Sequence, residues 1–161
     1  MSQLTHFDDD GKARMVDVGG KADTLRMARA RGQVAMKPST LSLIVERRIT
    51  KGDVLTIAKV AGINSAKMTS HLIPLCHTIT LTDVEVDFEI DQEKSTIRIE
   101  ALAKAVGKTG AEMEALTAVS LAALTIYDMC KASDREMVIS DIRLVEKSGG
   151  RSGHFHREGE A

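Results

Sequence analysis

Residues 107–118 combine groups that suit the binding of an anionic, nitrogen-rich ligand. A Gly-Lys-Thr-Gly turn at 107–110 supplies a cation, and Glu112 and Glu114 follow in the first turn of a predicted helix. Helix N-termini attract anions, while carboxylates accept hydrogen bonds from N–H groups. A nucleotide-binding P-loop is excluded, because that motif requires a glycine where this chain has Leu102.

Three further charged residues are candidates for proton transfer. Asp128 and Lys131 lie three residues apart on one helix face, and Lys51 lies in a turn before Gly52 and Asp53. A surface ion pair and a helix-capping turn are the simpler interpretations of these two features. The apolar helix that precedes Asp128 favours a structural or catalytic pair instead.

The loop segment Leu75-Cys76-His77 contains a histidine suited to acid–base chemistry or to anchoring a ligand by a hydrogen bond. A merely solvated loop histidine is the alternative. We expect no metal site, because adjacent Cys and His lack the usual gap of about two to four residues between zinc ligands. Cys76 and Cys130 form no disulfide framework, which predicts reduced thiols and a cytoplasmic protein.

Two flexible segments add charged groups. The stretch 147–153 is rich in glycine and carries Lys147 and Arg151, which suit phosphate, although a disordered tail fits the same composition. The stretch 15–21 carries Asp17 and Lys21 in a similar setting.

The elements that must position these residues follow from hydrophobic periodicity. Residues 79–90 alternate strictly between apolar and polar, which predicts a half-buried antiparallel strand. The other predicted elements are a strand at 25–36, a helix from Pro38, helical pieces at 54–60 and from Gly62 to Leu72, a strand at 96–106, a helix at 112–132 and a strand at 136–145. The order β-α-β-β-α-β predicts a ferredoxin-like α/β (α+β) sandwich, an antiparallel sheet with helices packed on one face.

Composition limits the functional classes. The 161 residues fit one domain, 1–161, with flexible ends at 1–20 and 148–161. A net charge of −1, one Tyr, three Phe and no Trp give no basis for nucleic-acid binding. No apolar run is expected to reach the length of a bilayer span, so no membrane partner is predicted. Small residues along the long helix predict close packing on the sheet or across a subunit contact.

Taken together, these motifs resemble the cyclic pyranopterin monophosphate synthase family of molybdenum cofactor biosynthesis. The resemblance runs from about residue 4 to residue 153. The segments that carry it, in chain order, are 15–18 (MVDV), 51–54 (KGDV), 73–77 (IPLCH), 107–118 (GKTGAEMEALTA), 127–132 (YDMCKA) and 147–153 (KSGGRSG).

The resemblance implies an enzyme that converts (8S)-3′,8-cyclo-7,8-dihydroguanosine 5′-triphosphate to cyclic pyranopterin monophosphate and releases diphosphate. It also implies a ferredoxin-like fold and a homohexamer of three dimers with sites at subunit contacts. No cofactor is implied, although binding of Mg²⁺ together with the triphosphate is an open alternative.

The resemblance also assigns roles to residues. Asp128, Lys51 and Lys131 would be catalytic, with both lysines in proton transfer. The implied substrate-binding residues are Leu75, Cys76, His77 and Met113 around the ring, Glu112 and Glu114 on its N–H groups, Lys21, Arg26, Lys147 and Arg151 on the phosphates, and Asp17. Two alternatives stay open: a non-catalytic nucleotide-binding regulatory domain of the same fold, and a different nucleotide lyase.

Overall fold

The computed structural model describes residues 10–151 and 153–160 as one antiparallel sheet with helices on one face. The elements in chain order are β1 (Thr24–Ala35), α1 (Pro38–Val45), α2 (Val54–Lys67), α3 (Thr69–Leu72), β2 (Thr80–Asp91), β3 (Thr96–Gly107), α4 (Glu112–Cys130), β4 (Val138–Ser148) and β5 (Phe155–His156).

The strand order β2-β3-β1-β4-β5 confirms the predicted α+β fold. Every neighbouring pair is antiparallel, and β2 and β3 form the predicted hairpin. Along β1 the buried residues alternate with half-buried ones from Arg26 to Val34, because successive side chains point to opposite faces. The even-numbered residues of β1 therefore face the helices, and the odd-numbered residues face the open side of the sheet.

The core lies between the sheet and α4, which contacts β1, β3, β4 and α2. A break near Gly62 was predicted, but α2 continues through it and ends only before Met68. A Cβ atom at Gly62 would lie 3.0 Å from the carbonyl oxygen of Ala118. Glycine is therefore favoured here by the close approach of α2 to α4, and does not interrupt the helix. The small residues of α4 serve this packing, as predicted.

The C-terminal segment is more regular than predicted. β4 continues to Ser148, beyond the predicted end at Val145, and β5 pairs with it through Glu146↔His156 and Lys147↔Phe155. The extra residues of β4 are part of the strand because they pair with β1. Flexibility of 1–20 and 148–161 stays a prediction, and residues 1–9, 152 and 161 lie outside the described residues.

The 19 residues of α4 are long and apolar enough, by length and composition alone, to cross a bilayer. In the fold, however, α4 is the core helix, and 56% of its most apolar window is buried inside the protein. Its buried apolar side chains pack against the sheet and α2, whereas Leu124 is 52% exposed.

Asp134 links the loop after α4 to the start of α1. Its side chain is buried, and Oδ2 accepts hydrogen bonds from the Lys37 amide at 2.9 Å and the Thr40 hydroxyl at 3.4 Å. Oδ1 accepts from the Glu136 amide at 3.0 Å. The Lys37 amide is the main reason that the pKa of Asp134 lies below its usual range. Because Lys37 provides no side-chain cap of its own, Asp134 caps α1 from a distant segment.

We expect Asp134→Ala to lower the melting temperature clearly, since it leaves the buried Thr40 hydroxyl and the Lys37 and Glu136 amides without their acceptor. The measurement is a circular dichroism melt beside Asp87→Ala, which removes an exposed carboxylate paired with Lys59. Equal melting temperatures for the two variants would contradict the capping role.

Candidate active site

Lys51, Asp128 and Lys131 meet at the C-terminal end of α4, and we call them the acid–base cluster. α2 runs antiparallel to α4, so the turn before α2 brings Lys51 to the end of α4. The Lys51 Nζ donates to Asp128 Oδ2 at 2.9 Å and to its backbone oxygen at 2.8 Å. The Lys131 Nζ lies 2.6 Å from Asp128 Oδ1. One carboxylate thus orients two ammonium groups.

The charge of Asp128 is fixed by these neighbours. Hydrogen bonds from Lys131 and Lys51 lower the pKa of Asp128 to about 2, so the carboxylate stays ionised at neutral pH. The three side chains are 45–56% exposed, and such pairs add little to stability. Their arrangement suits chemistry better, because it offers two positioned proton donors to a ligand that reaches the surface.

The other end of α4 borders a cleft of about 590 Å³, which we call the anion cleft. The start of β1, the β3–α4 turn and the end of β4 meet there. Its residues include five cations and one carboxylate, an excess of positive charge that favours a polyanion. The lining residues are Lys21, Ala22, Thr24, Arg26, Lys108, Thr109, Gly110, Glu112, Lys147, Gly150 and Arg151.

Arg26 is the structural centre of the anion cleft. It is 8% exposed, and its guanidinium donates to the carbonyl oxygens of Gly149 at 3.0 Å, Gly107 at 3.3 Å and Lys108 at 3.4 Å. It therefore ties the β3–α4 turn to the end of β4. A Cβ atom at Gly150 would lie 1.6 Å from Arg26 Nη1, and the residue has φ +71°, so only glycine fits.

Glu112 and Glu114, both in the first turn of α4, have different environments. Glu112 Oε1 accepts from Lys147 Nζ at 2.7 Å within the anion cleft. Glu114 is 3% exposed, and its Oε2 has no hydrogen-bond partner among the residues described. Burial raises the pKa of Glu114 to about 7, and the charge of Glu112 adds to this shift. A buried oxygen without a partner is suited to accept an N–H group from a ligand.

The segment Leu75-Cys76-His77 lies beside this end of α4. Burial raises the pKa of the Cys76 thiol, and the nearby charges of Glu114 and Glu112 add to the effect. His77 Nε2 lies 2.7 Å from the carbonyl oxygen of Val16, which holds the N-terminal segment against the loop. Cys76 is thus a neutral thiol at neutral pH, suited to lining a site and unsuited to nucleophilic attack.

The remaining predicted binding residues lie near the same end. Met113, in the first turn of α4, is 36% exposed. Asp17 Oδ1 accepts from the Gly19 amide at 2.7 Å, so its carboxylate shapes the segment that leads to Lys21. Among the described residues, Lys21 and Arg151 have no ion-pair partner, which leaves both cations available to a ligand.

The pKa of Glu114 leads to a prediction about stability. A carboxyl group with a pKa of about 7 in the folded protein and about 4.3 unfolded binds more protons when folded between these pH values. The contribution of this carboxyl group to the free energy of unfolding is therefore full below about pH 4 and is lost as the pH rises through 7. The difference amounts to about 4 kcal/mol.

We expect Glu114→Gln to remove most of the loss of unfolding free energy that the wild type shows between pH 5 and pH 8. Urea denaturation at both pH values measures it. Glu85→Gln, which changes an exposed carboxylate on β2, is the control. If Glu114→Gln and the wild type lose stability in parallel, the carboxyl group is not the source.

The two groups of functional residues do not meet within one chain. Asp128 lies 16 residues after Glu112 on the same helix, which at 1.5 Å per residue separates them by roughly 24 Å. The substrate-binding residues gather at the N-terminal end of α4, and the acid–base cluster lies at its C-terminal end. A ligand in the anion cleft is therefore far from Lys51, Asp128 and Lys131 of its own chain.

Six lining residues of the anion cleft were absent from the sequence-based list of site residues: Ala22, Thr24, Lys108, Thr109, Gly110 and Gly150. Lys108 lines it, and its Nζ donates to the carbonyl oxygen of Gly19 at 2.7 Å. Its position in the Gly-Lys-Thr-Gly turn was the available signal. Thr24 also lines the cleft, and nothing in the local sequence distinguishes it from other strand residues.

The chain is similar over nearly its full length to several known proteins, and the similarity includes the anion cleft and the acid–base cluster. Similar proteins named cyclic pyranopterin monophosphate synthase include those of Desulfitobacterium hafniense, 62% identical over 97% of this chain and 95% of that protein, and Heliobacterium modesticaldum, 61% identical over 98% and 99%. A third, from Roseiflexus sp., is 63% identical over 96% of this chain and 98% of its own. The model of the MoaC family matches residues 15–150, a span that holds the anion cleft up to Gly150 and the whole acid–base cluster. With that match and these relatives over nearly its full length, the chain belongs to the MoaC family.

Proposed function

We propose that this protein is a cyclic pyranopterin monophosphate synthase, a lyase of molybdenum cofactor biosynthesis. Its substrate would be (8S)-3′,8-cyclo-7,8-dihydroguanosine 5′-triphosphate, and its products cyclic pyranopterin monophosphate and diphosphate. The observation that carries the proposal is the pair of sites on α4: a cation-rich cleft at one end and two lysines oriented by Asp128 at the other. The shared name of the relatives supports it.

The anion cleft would hold the triphosphate. Lys21, Lys147 and Arg151 would contact its oxygens, and Arg26 would keep the surrounding loops in place. When a hydroxyl group of the sugar attacks the innermost phosphate, charge moves onto the departing diphosphate. Fixed cations stabilise that charge, because they need no reorganisation during the reaction.

The acid–base cluster would move protons during ring opening and closure. Lys51 and Lys131 are the groups in position to donate or accept them, and Asp128 would fix where they point. Glu114 Oε2 and Glu112 would accept N–H groups of the guanine-derived ring, with Leu75, Cys76, His77 and Met113 around it. No cofactor is part of this proposal, except that Mg²⁺ is free to enter with the triphosphate.

The active site would be shared between two chains. The separation of roughly 24 Å along α4 supports this, because one substrate must reach both the anion cleft and the acid–base cluster. The cleft of one subunit would face the cluster of its neighbour. A homohexamer built as a trimer of dimers, located in the cytoplasm, is the assembly we propose.

A non-catalytic nucleotide-binding domain would need the anion cleft but not the acid–base cluster. The names of the relatives do not favour it. The deciding experiment is incubation of the purified protein with the cyclised dihydroguanosine triphosphate, with and without a chelator, followed by assays for diphosphate and the pyranopterin product. Both products should appear in equal amounts. Binding without diphosphate release would support the regulatory alternative.

A further inference from the structure

Thr24, the first residue of β1, has a buried hydroxyl group without a hydrogen-bond partner among the described residues. Buried hydroxyl groups are nearly always bonded. Two buried threonines among the described residues follow that rule: Thr40 Oγ1 donates to Asp134, and Thr69 Oγ1 donates to the carbonyl oxygen of Ala66 at 2.9 Å. Thr24 is therefore an exception that needs an explanation.

The position of Thr24 provides one. Its side chain lies on the helix side of the sheet, the same side as Arg26, and it pairs with Gly107 at the start of the β3–α4 turn. It lines the anion cleft together with Lys21 and Lys147. The unbonded hydroxyl thus belongs to a residue of the cleft wall, which also holds two cations, Lys21 and Arg151, without an ion-pair partner among the described residues.

The nearby end of α4 also lacks a capping group. Its N-cap residue is Ala111, whose side chain makes no hydrogen bond. Helices usually begin with a residue whose side chain accepts a hydrogen bond from the first backbone amides of the helix. The α4 N-terminus and the Thr24 hydroxyl are thus two sets of donors at one cleft, and phosphate oxygens are suitable acceptors for both.

We propose that the Thr24 hydroxyl donates a hydrogen bond to a phosphate oxygen of the bound triphosphate, as a further substrate-binding residue. The identity of the substrate rests on the proposed function, but the phosphate contact does not. In the free protein the unbonded hydroxyl lowers stability, because its hydration is lost without a replacement. Binding of the anion restores the missing bond.

This assignment predicts effects of opposite sign on stability and on binding. Thr24→Val keeps the branched shape that suits a strand but removes the hydroxyl group. The free variant should therefore melt at the same temperature as the wild type or higher. Its affinity for inorganic triphosphate should fall by about 10- to 100-fold, the effect of losing a hydrogen bond to a charged group. A purely structural threonine would give the reverse pattern.

The experiment combines calorimetric titration with inorganic triphosphate and thermal melts of the full chain. Thr24→Ser, which retains the hydroxyl group, should bind within a fewfold of the wild type. Thr82→Val, at an exposed position of β2, is the matched control and should leave binding unchanged.

Three results would overturn the inference: wild-type affinity in Thr24→Val, equal loss in Thr24→Ser and Thr24→Val, or no triphosphate binding by the wild type. Failure of the proposed function is distinguishable from these. In that case the wild type would bind triphosphate with the predicted dependence on Thr24, yet release no diphosphate from the cyclised substrate.

Discussion

Replacing Lys131 or Lys51 with alanine is expected to lower kcat by about 10²–10⁴-fold, the usual effect of losing a proton-transfer group. Each lysine contacts the Asp128 carboxylate at 2.9 Å or less, and each side chain is about half exposed. The reaction should therefore fail while the fold remains, because neither side chain contributes to the core.

Diphosphate release under saturating substrate measures this effect, and a thermal melt verifies the fold of each variant. The matched control is Lys59→Ala, since Lys59 lies on α2 and makes a similar exposed ion pair, 3.0 Å from Asp87. It should retain wild-type activity. Near-normal diphosphate release by purified Lys51→Ala or Lys131→Ala would contradict the assignment of the acid–base cluster.

Mixing Lys51→Ala chains with Arg151→Ala chains, each inactive alone, is expected to restore activity. If every site combines the acid–base cluster of one chain with the anion cleft of another, random exchange gives about a quarter of the sites both intact residues. The physical basis is the distance of roughly 24 Å between the two ends of α4, which separates the anion cleft from the acid–base cluster within one chain.

The test requires that subunits exchange, which mass-tagged chains can demonstrate first. Exchange without recovered activity would place Lys51 and Arg151 of one chain in the same site, provided that Arg151→Ala alone is inactive. If Arg151→Ala alone is active, Lys147→Ala replaces it in the mixture. A monomer at the assay concentration would reject the shared site outright.

The sequence by itself was sufficient for the four long strands of the sheet and for the family. Residues 79–90 alternate strictly between apolar and polar, which is the period of a strand. β2 can therefore be predicted from the local sequence alone. The motifs around Lys51, Glu112 and Asp128 were sufficient to identify the resemblance, and the family match over residues 15–150 confirms it.

Local pattern was insufficient where a distant segment decides the structure. Gly62 was predicted to interrupt the helix, but its closeness to Ala118 favours glycine inside α2. β4 continues to Ser148 because β1 offers it partners, and β5 forms because β4 does. A strand ends where its hydrogen-bonding partner ends, which the strand's own residues do not encode.

The geometry of the site depends on tertiary structure alone. Lys51 and Asp128 are 77 residues apart, and only the antiparallel packing of α2 on α4 brings them into contact. Burial of Glu114 and of the Thr24 hydroxyl, and hence the Glu114 pKa of about 7, is likewise set by neighbours far along the chain. Sequence thus determined which chemical groups are present. The fold decided that they occupy opposite ends of one rigid helix, because a helix fixes the distance between its ends.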